Sequence, residues 1–285
     1  ATTAALEGGK VVLKAAGDAL VQGVGTIVAT GEHGGSVDVL GQRVAIKDQA
    51  SIDVSGRFGG GSIRIGGDFQ GKNPDVPNAQ RNYLGPDAVL RADALDKGDG
   101  GRVIVWADDQ TKAYGTISAR GGAHGGNGGF AEVSGKQNLV FEARVDLRAP
   151  AGALGSLLLD PRFINVVNSG IDPASNADAF SDVSGGTVFV SPATLNAVGG
   201  NVFLRADGDI AFIDALTLTT PGANLTALAG NLIHVGAAIT TTGGDILLHS
   251  AAPGAAGNGT TDSNRVQVDA PITSNGGRIA GGAPV

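Results

Sequence analysis

The sequence predicts an all-β chain whose short strands stack repeat upon repeat, a parallel β-helix (β-solenoid) with one long insertion. Three observations carry that prediction. A glycine pair followed by an apolar/polar alternation recurs, as in Gly34-Gly35-Ser36-Val37-Asp38-Val39, Gly60-Gly61-Ser62-Ile63-Arg64-Ile65 and Gly100-Gly101-Arg102-Val103-Ile104-Val105. The second glycines, at 9, 35, 61, 101, 129 and 155, are spaced by 26, 26, 40, 28 and 26 residues, and self-similarity at a period of roughly 20–50 residues marks stacked repeats. No stretch offers the i, i+3, i+4, i+7 apolar spacing that a helix needs.

The first strand of each repeat follows its glycine pair, at 10–13, 36–39, 62–65, 102–105 and 130–133. Further alternating runs follow at 43–46 and 51–54 in one repeat and at 138–141 and 144–147 in another, separated by Gly, Asp, Asn and Ser turns. One spacing of 40 locates the insertion, residues 68–99. Beyond 155 the spacing becomes 31, 14, 30, 14 and 33, so glycine pairs there mark half-repeats too, and residues 161–198 read as a less regular repeat or a covering segment. Residues 1–285 read as one continuous array, because length does not count domains in a repeat protein.

Strands this short hold only when neighbours pair with them, about 4.8 Å apart. Alternation then points Val11/Leu13, Val37/Val39, Ile63/Ile65, Val103/Val105, Val188/Val190, Val202/Leu204 and Ile246/Leu248 inward, and Lys14, Asp38, Arg64 and Glu132 to water. Glycine, 48 of 285 residues, suits corners that need positive φ or close backbone approach. The absence of a Gly-X-Y period excludes collagen.

The net charge of −7, from 27 acidic and 20 basic residues without a basic cluster, argues against a nucleic-acid partner. No apolar run approaches the ~18 residues of a membrane span, so membrane insertion is not expected. The chain has no cysteine, which excludes disulfides, thiolate metal sites and a cysteine nucleophile. It has no methionine and begins in mid-pattern at Ala1, and therefore reads as an excerpt of a longer polypeptide.

The middle third is more specific than its periodicity. Gly66-Gly67-Asp68-Phe69-Gln70-Gly71, Asn78-Ala79, Gly85-Pro86-Asp87-Ala88, Ala92-Asp93-Ala94-Leu95, Gly98-Asp99-Gly100-Gly101-Arg102-Val103-Ile104-Val105-Trp106-Ala107-Asp108, Gly128-Gly129-Phe130-Ala131-Glu132-Val133-Ser134-Gly135-Lys136 and Leu157-Leu158-Leu159-Asp160-Pro161 resemble the filamentous-haemagglutinin-like exoproteins. The resemblance covers about 30–165. It implies a right-handed β-helix in a large bacterial adhesin, exported through an outer-membrane two-partner-secretion transporter. The implied location is secreted, at the bacterial cell surface or in the extracellular matrix. Implied roles are cell adhesion and biofilm attachment, with extracellular polysaccharide or sister adhesin molecules as partners. The Asn-Pro-Asn motifs of that family's secretion domain do not occur here, which places the segment in the stalk or just beyond that domain.

The expected function is a structural, adhesive stalk. The alternatives are an exopolysaccharide-binding module and, further off, a polysaccharide-degrading enzyme. No pair of carboxylates in adjacent repeats is apparent to support catalysis, and no catalytic residue is assigned. Candidate glycan or partner contacts are Arg81 and Tyr83 in the insertion, and Trp106, Phe189 and Phe203, which alternation places on an outer apolar stripe with Ile104, Leu158 and Leu247. A covering segment over that stripe is the competing account. Asp93, Asp96 and Asp99 form a possible Ca²⁺ site, although their spacing matches neither the EF-hand nor the glycine/aspartate calcium repeat. No other cofactor is expected.

Overall fold

The computed structural model describes residues 9–169, 179–180, 188–250 and 265–282. Among them every strand-to-strand ladder is parallel, and the chain is all-β with long parallel sheets. The largest sheet takes the first strand of each repeat in chain order, from Lys10–Lys14 through Ser36–Leu40, Ser62–Ile65, Arg102–Ala113, Phe130–Gly135, Ser156–Leu159, Asn201–Ala206, Leu225–Ala229 and Ile246–Ser250 to Ile279–Gly282. A branch of this sheet stacks the second strands, Asp18–Val21, Arg43–Ile46 and Ala79–Leu84, onto the far half of Arg102–Ala113, with Asn138–Phe141 beyond. Third strands form a separate sheet from Thr26–Val28 to Arg144–Asp146. In the later repeats two further sheets replace these, one through Ile164–Val166, Ile210–Phe212 and Leu232–Val235, the other through Leu216–Leu218 and Ile239–Thr241.

Register follows the apolar alternation. Val11, Val37, Ile63 and Val103 are consecutive Cα partners, as are Ile27, Ile52, Leu90, Ile117 and Val145 in the third-strand sheet. A one-residue slip would turn each of these columns outward, so burial fixes the register. The inward side chains form one contiguous core running from Val11 to Leu248. Of the residues expected to point inward, only Leu13, in the first described strand, is exposed.

At Gly61 and Gly101 glycine answers a need for space, whereas Gly243 and Gly276, in two later pairs, have positive φ. A Cβ on Gly101 would collide with the carbonyl oxygen of Gly61, and one on Gly61 with that of Gly35. Neither residue has positive φ. The glycine pairs therefore let one backbone corner rest on the next.

Three expectations are corrected. Residues 68–99 are not one loop: Ala79–Leu84 and Val89–Arg91 are strands within the sheets, and only 66–78 leave the stack. Asp38 and Glu132 do not face water but are 3% and 0% exposed, because 66–78 fold over them. A short helix, Pro192–Asn196, occurs where none was expected, started by Ser191, whose hydroxyl accepts from the Thr194 N–H. In the segment 161–198, residues 170–178 and 181–187 lie outside the described residues. Ala179 and Phe180 pack against Ala45, Tyr83, Tyr114 and Val140 on the outer side of the second strands.

Candidate functional site

Most repeats pass from first to second strand through a tight turn, such as Lys136-Gln137. At Gly66 the chain instead leaves for thirteen residues and returns at Ala79. Asn82 secures the point of departure. It replaces the inward apolar residue of its column, Val44, and its buried Nδ2 donates to the Ile65 and Trp106 carbonyls at 3.2 and 2.6 Å.

The excursion begins with Asp68, which accepts from its neighbour Phe69 N–H at 2.7 Å and starts the 3₁₀ turn Phe69–Gly71. Beneath it runs an outward column of partnered residues: Asp38, Arg64, Ile104, Glu132 and Leu158. Arg64 donates two bonds to Asp38, both at 2.7 Å, and a third to Asp68 at 2.9 Å. Burial works against ionisation of Asp68, but the bonds from Asn73, Phe69 and Arg64 outweigh it and hold the carboxyl below its usual range. The Arg102 guanidinium lies 5.0 Å from the Phe69 ring centre and 5.6 Å from that of Phe130.

Gln70 is the tip of this cap. Its φ of 55° lies in the left-handed region, and its N–H donates to both carboxyl oxygens of Glu132. Its side-chain Nε2 donates to Asp160 at 3.0 Å, and its Oε1 accepts from Lys72 Nζ at 2.7 Å. Two carboxyls in adjacent repeats thus meet one residue. Burial pushes Glu132 up to about 8, with Asp160 nearby adding to the effect against the Gln70 N–H. Burial also pushes Asp160 up to about 6, against the pull of Arg205, whose Nη1 is 3.6 Å away.

Trp106 is 4% exposed beneath the same cap. A Cβ on Gly67 or Gly71 would press on its indole. The indole N–H donates to Asp108 at 3.2 Å, and the Asn78 amide donates to Asp108 and to the Gly71 carbonyl, each at 3.0 Å. Trp106 is therefore covered, not a contact surface. Ile104 and Leu158 are buried too, whereas Phe203 is half-buried and Leu247 exposed farther along the column. Phe189 belongs to a different sheet, paired with Asn165, and does not join the stripe. Tyr83 is 7% exposed beside Tyr114 and Phe180. Arg81 is half-buried, donating to Asp109 at 3.2 Å and to the Phe180 carbonyl at 2.6 Å.

The three aspartates do not converge. Asp93 accepts from the Ser118 hydroxyl and the Arg120 N–H, Asp96 lies 2.7 Å from His124 Nδ1, and Asp99 accepts from the Asn127 N–H at 2.7 Å. The His124 bond holds the Asp96 carboxyl below its usual range. Each aspartate ties its own repeat to the next one. Among the described residues no three His, Cys, Asp or Glu side chains form a metal-binding group, and the calcium expectation is corrected accordingly.

Between the cap tip and the turns of the following repeats runs a polar groove. One cavity of about 610 Å³ takes in Gln70, Lys72, Asp108 and Asp160. Another of about 220 Å³ reaches Arg162, Phe163 and Asn231. They share Lys136, Gln137 and Asp207 and so are continuous.

Alternation did not reveal Gln70, Glu132, Asp160 or Lys136 as a group. The available signal was the column itself: charges at 38, 64 and 132 alternate with apolar Ile104 and Leu158, and one surface suits both only if something covers it. No family model matches the chain, and no curated protein matches it.

Proposed function

We propose that the chain is a segment of a right-handed parallel β-helix and acts as the rigid stalk of a secreted bacterial adhesin of the filamentous-haemagglutinin-like kind. The observation that carries this reading is the unbroken ladder of first strands from Lys10–Lys14 to Ile279–Gly282, parallel throughout. Each strand is held by the one before and the one after, so the array opens repeat by repeat, not all at once. The cap fits the same role. It clamps five repeats, from Asp38 through Arg64, Asp108 and Glu132 to Asp160, with side-chain bonds.

The stalk would project from the cell surface and hold it to matrix polysaccharide or to sister molecules. A two-partner-secretion transporter in the outer membrane would export the whole protein. We assign it no catalysis: Glu132, the more strongly perturbed of the two carboxyls, is fully buried beneath Gln70, out of reach of a polymer.

Pulling single molecules by their ends tests this reading together with solution scattering. A stalk gives an elongated particle and a saw-tooth of small unfolding steps, one or a few repeats at a time. A compact particle that opens in one event would overturn it.

A further inference from the structure

The groove beside the cap has a geometry that the stalk role does not require. Its floor takes one position from each of five consecutive repeats: Asp108-Asp109, at a bulge within the strand Arg102–Ala113, then the turns Lys136-Gln137, 160–163, Asp207-Gly208 and Asn231. Main-chain bonds join neighbouring turns. Lys136 N–H donates to the Ala107 carbonyl at 2.9 Å, Gly208 N–H to that of Arg162 at 2.8 Å, and Asn231 N–H to that of Gly208 at 3.2 Å. Five positions at the ~4.8 Å spacing of paired strands make a track roughly 20 Å long. The cap tip walls one side of it.

The chemistry along the track is uneven. Asp108 and Asp160 spend their oxygens on Trp106, Asn78, Gln70 and Arg205. By contrast Lys136 and Arg162 are exposed, and neither has an ion pair among the described residues. Arg162 lies 5.2 Å from the ring centre of Phe163, which covers Gly208. In a chain of net charge −7, this track offers two cations in adjacent repeats, the exposed amide of Gln137 and one aromatic ring.

Resting on the extracellular reading above, we propose that the groove binds a linear polyuronate, a polysaccharide bearing a carboxylate on each sugar. A pyranose ring advances a chain by about one strand spacing, so successive sugars face successive turns. Lys136 and Arg162 bind carboxylates, for which charge-assisted hydrogen bonds are the strong contacts. Gln137 and Asp207 take hydroxyls, and Phe163 supports one sugar face. A nucleic acid fits less well, because a single ring gives no row of base-stacking platforms.

Titration calorimetry of the full chain with hexagalacturonate, the neutral cellohexaose and a short oligothymidylate tests this. Hexagalacturonate is expected to bind in the micromolar range, with cellohexaose and oligothymidylate at least about tenfold weaker. Lys136→Glu and Arg162→Glu should each weaken hexagalacturonate roughly tenfold, while Lys14→Glu, the same charge change at an exposed lysine of the first strand, leaves it unaltered. Unchanged melting of the variants secures the comparison. Absence of hexagalacturonate binding, equal binding of oligothymidylate, or equal losses in all three variants would overturn the proposal. Scattering and pulling on the same samples report the stalk independently, so the groove can fail while the stalk stands.

Discussion

The backbone N–H of Gln70 donates to both carboxyl oxygens of Glu132, at 3.2 and 3.1 Å, across 62 residues of chain. Burial of that carboxyl under the cap, which outweighs the contact, makes the cap sensitive to pH. Glu132 has an ordinary value of 4.5 and is pushed up to about 8 by burial, so between those limits the folded state keeps a proton that the unfolded chain has lost. Stability therefore falls as pH rises through this window and levels off above it. Asp160 acts in the same direction between 3.8 and about 6. Glu132→Gln removes most of the slope, and near pH 9 it should stabilise the folded chain by roughly 5 kcal/mol at ~1.4 kcal/mol per pKa unit, unless the cap opens alone at lower cost. Denaturant midpoints at about pH 5 and about pH 9, with hydrogen exchange at Gln70, measure both. A wild-type midpoint that rises between them would refute the assignment.

Arg64 joins a buried acid, Asp38, with a side chain 5% exposed, to a half-buried one, Asp68, at 17%. Replacing it by methionine leaves Asp38 with only Lys10, 3.5 Å away. Breaking a buried pair from one side costs about 3–5 kcal/mol, and the exposed lysine places this case at the lower end. Replacing both partners, Asp38→Leu with Arg64→Met, should recover most of the loss. Chemical denaturation of the single and double variants reads this, and a double variant no better than the single one would show that packing, not charge, dominates.

Glycine pairs and two-residue alternation made the strands and their inward faces legible in the sequence, because both obey local rules of sterics and pleat. What alternation cannot reveal is a segment that folds back over its own sheet. It sends Asp38 and Glu132 to water by the same rule that sends Val37 and Val133 inside, and only the path of 66–78 in space reverses that outcome. The insertion was legible as a break in period, but its second half, Ala79–Leu84, was hidden because Asn82 stands where the column has Val44.

The glycine corners should be among the least tolerant surface positions. Gly101→Ala would set a methyl group against the Gly61 carbonyl oxygen, with Gly60 C and Gly61 N at 2.8 Å. Backbone is all that can yield there, so a loss of roughly 3 kcal/mol, at the upper end for overpacking, is expected. Gly17→Ala is the matched control: no atom lies within 4 Å of its Cβ position, and alanine should be neutral or stabilise by up to about 1 kcal/mol. Thermal melts of the two variants would contradict this account if they shifted alike.

Calcium should do nothing to the turn at 93–99. Asp93, Asp96 and Asp99 each spend an oxygen on the following repeat, so a cation would have to break those bonds to bind. Melting with calcium and with a chelator should coincide. Asp99→Ala, which removes the acceptor of the Asn127 N–H, should cost on the order of 1 kcal/mol whether or not calcium is present. A calcium-dependent difference between wild type and Asp99→Ala would restore the metal site.

Trp106 is the chain's single tryptophan, and it reports whether the cap is closed. Residues 67–78 can be replaced by a two-residue turn like Lys136-Gln137, since both connect a first strand to a second. The repeats should still stack, because their ladders do not pass through the excursion. Trp106, Ile104 and Glu132 would then meet water, the indole emission would move to the red, and Glu132 would return toward an ordinary carboxyl. Exposing two large apolar side chains costs about 1.5–3 kcal/mol each, part of it offset by relief of the buried carboxyls. The truncated chain should therefore lose stability near pH 5 and much less near pH 9. Unshifted emission in a folded truncated chain would mean that something other than 67–78 covers the indole.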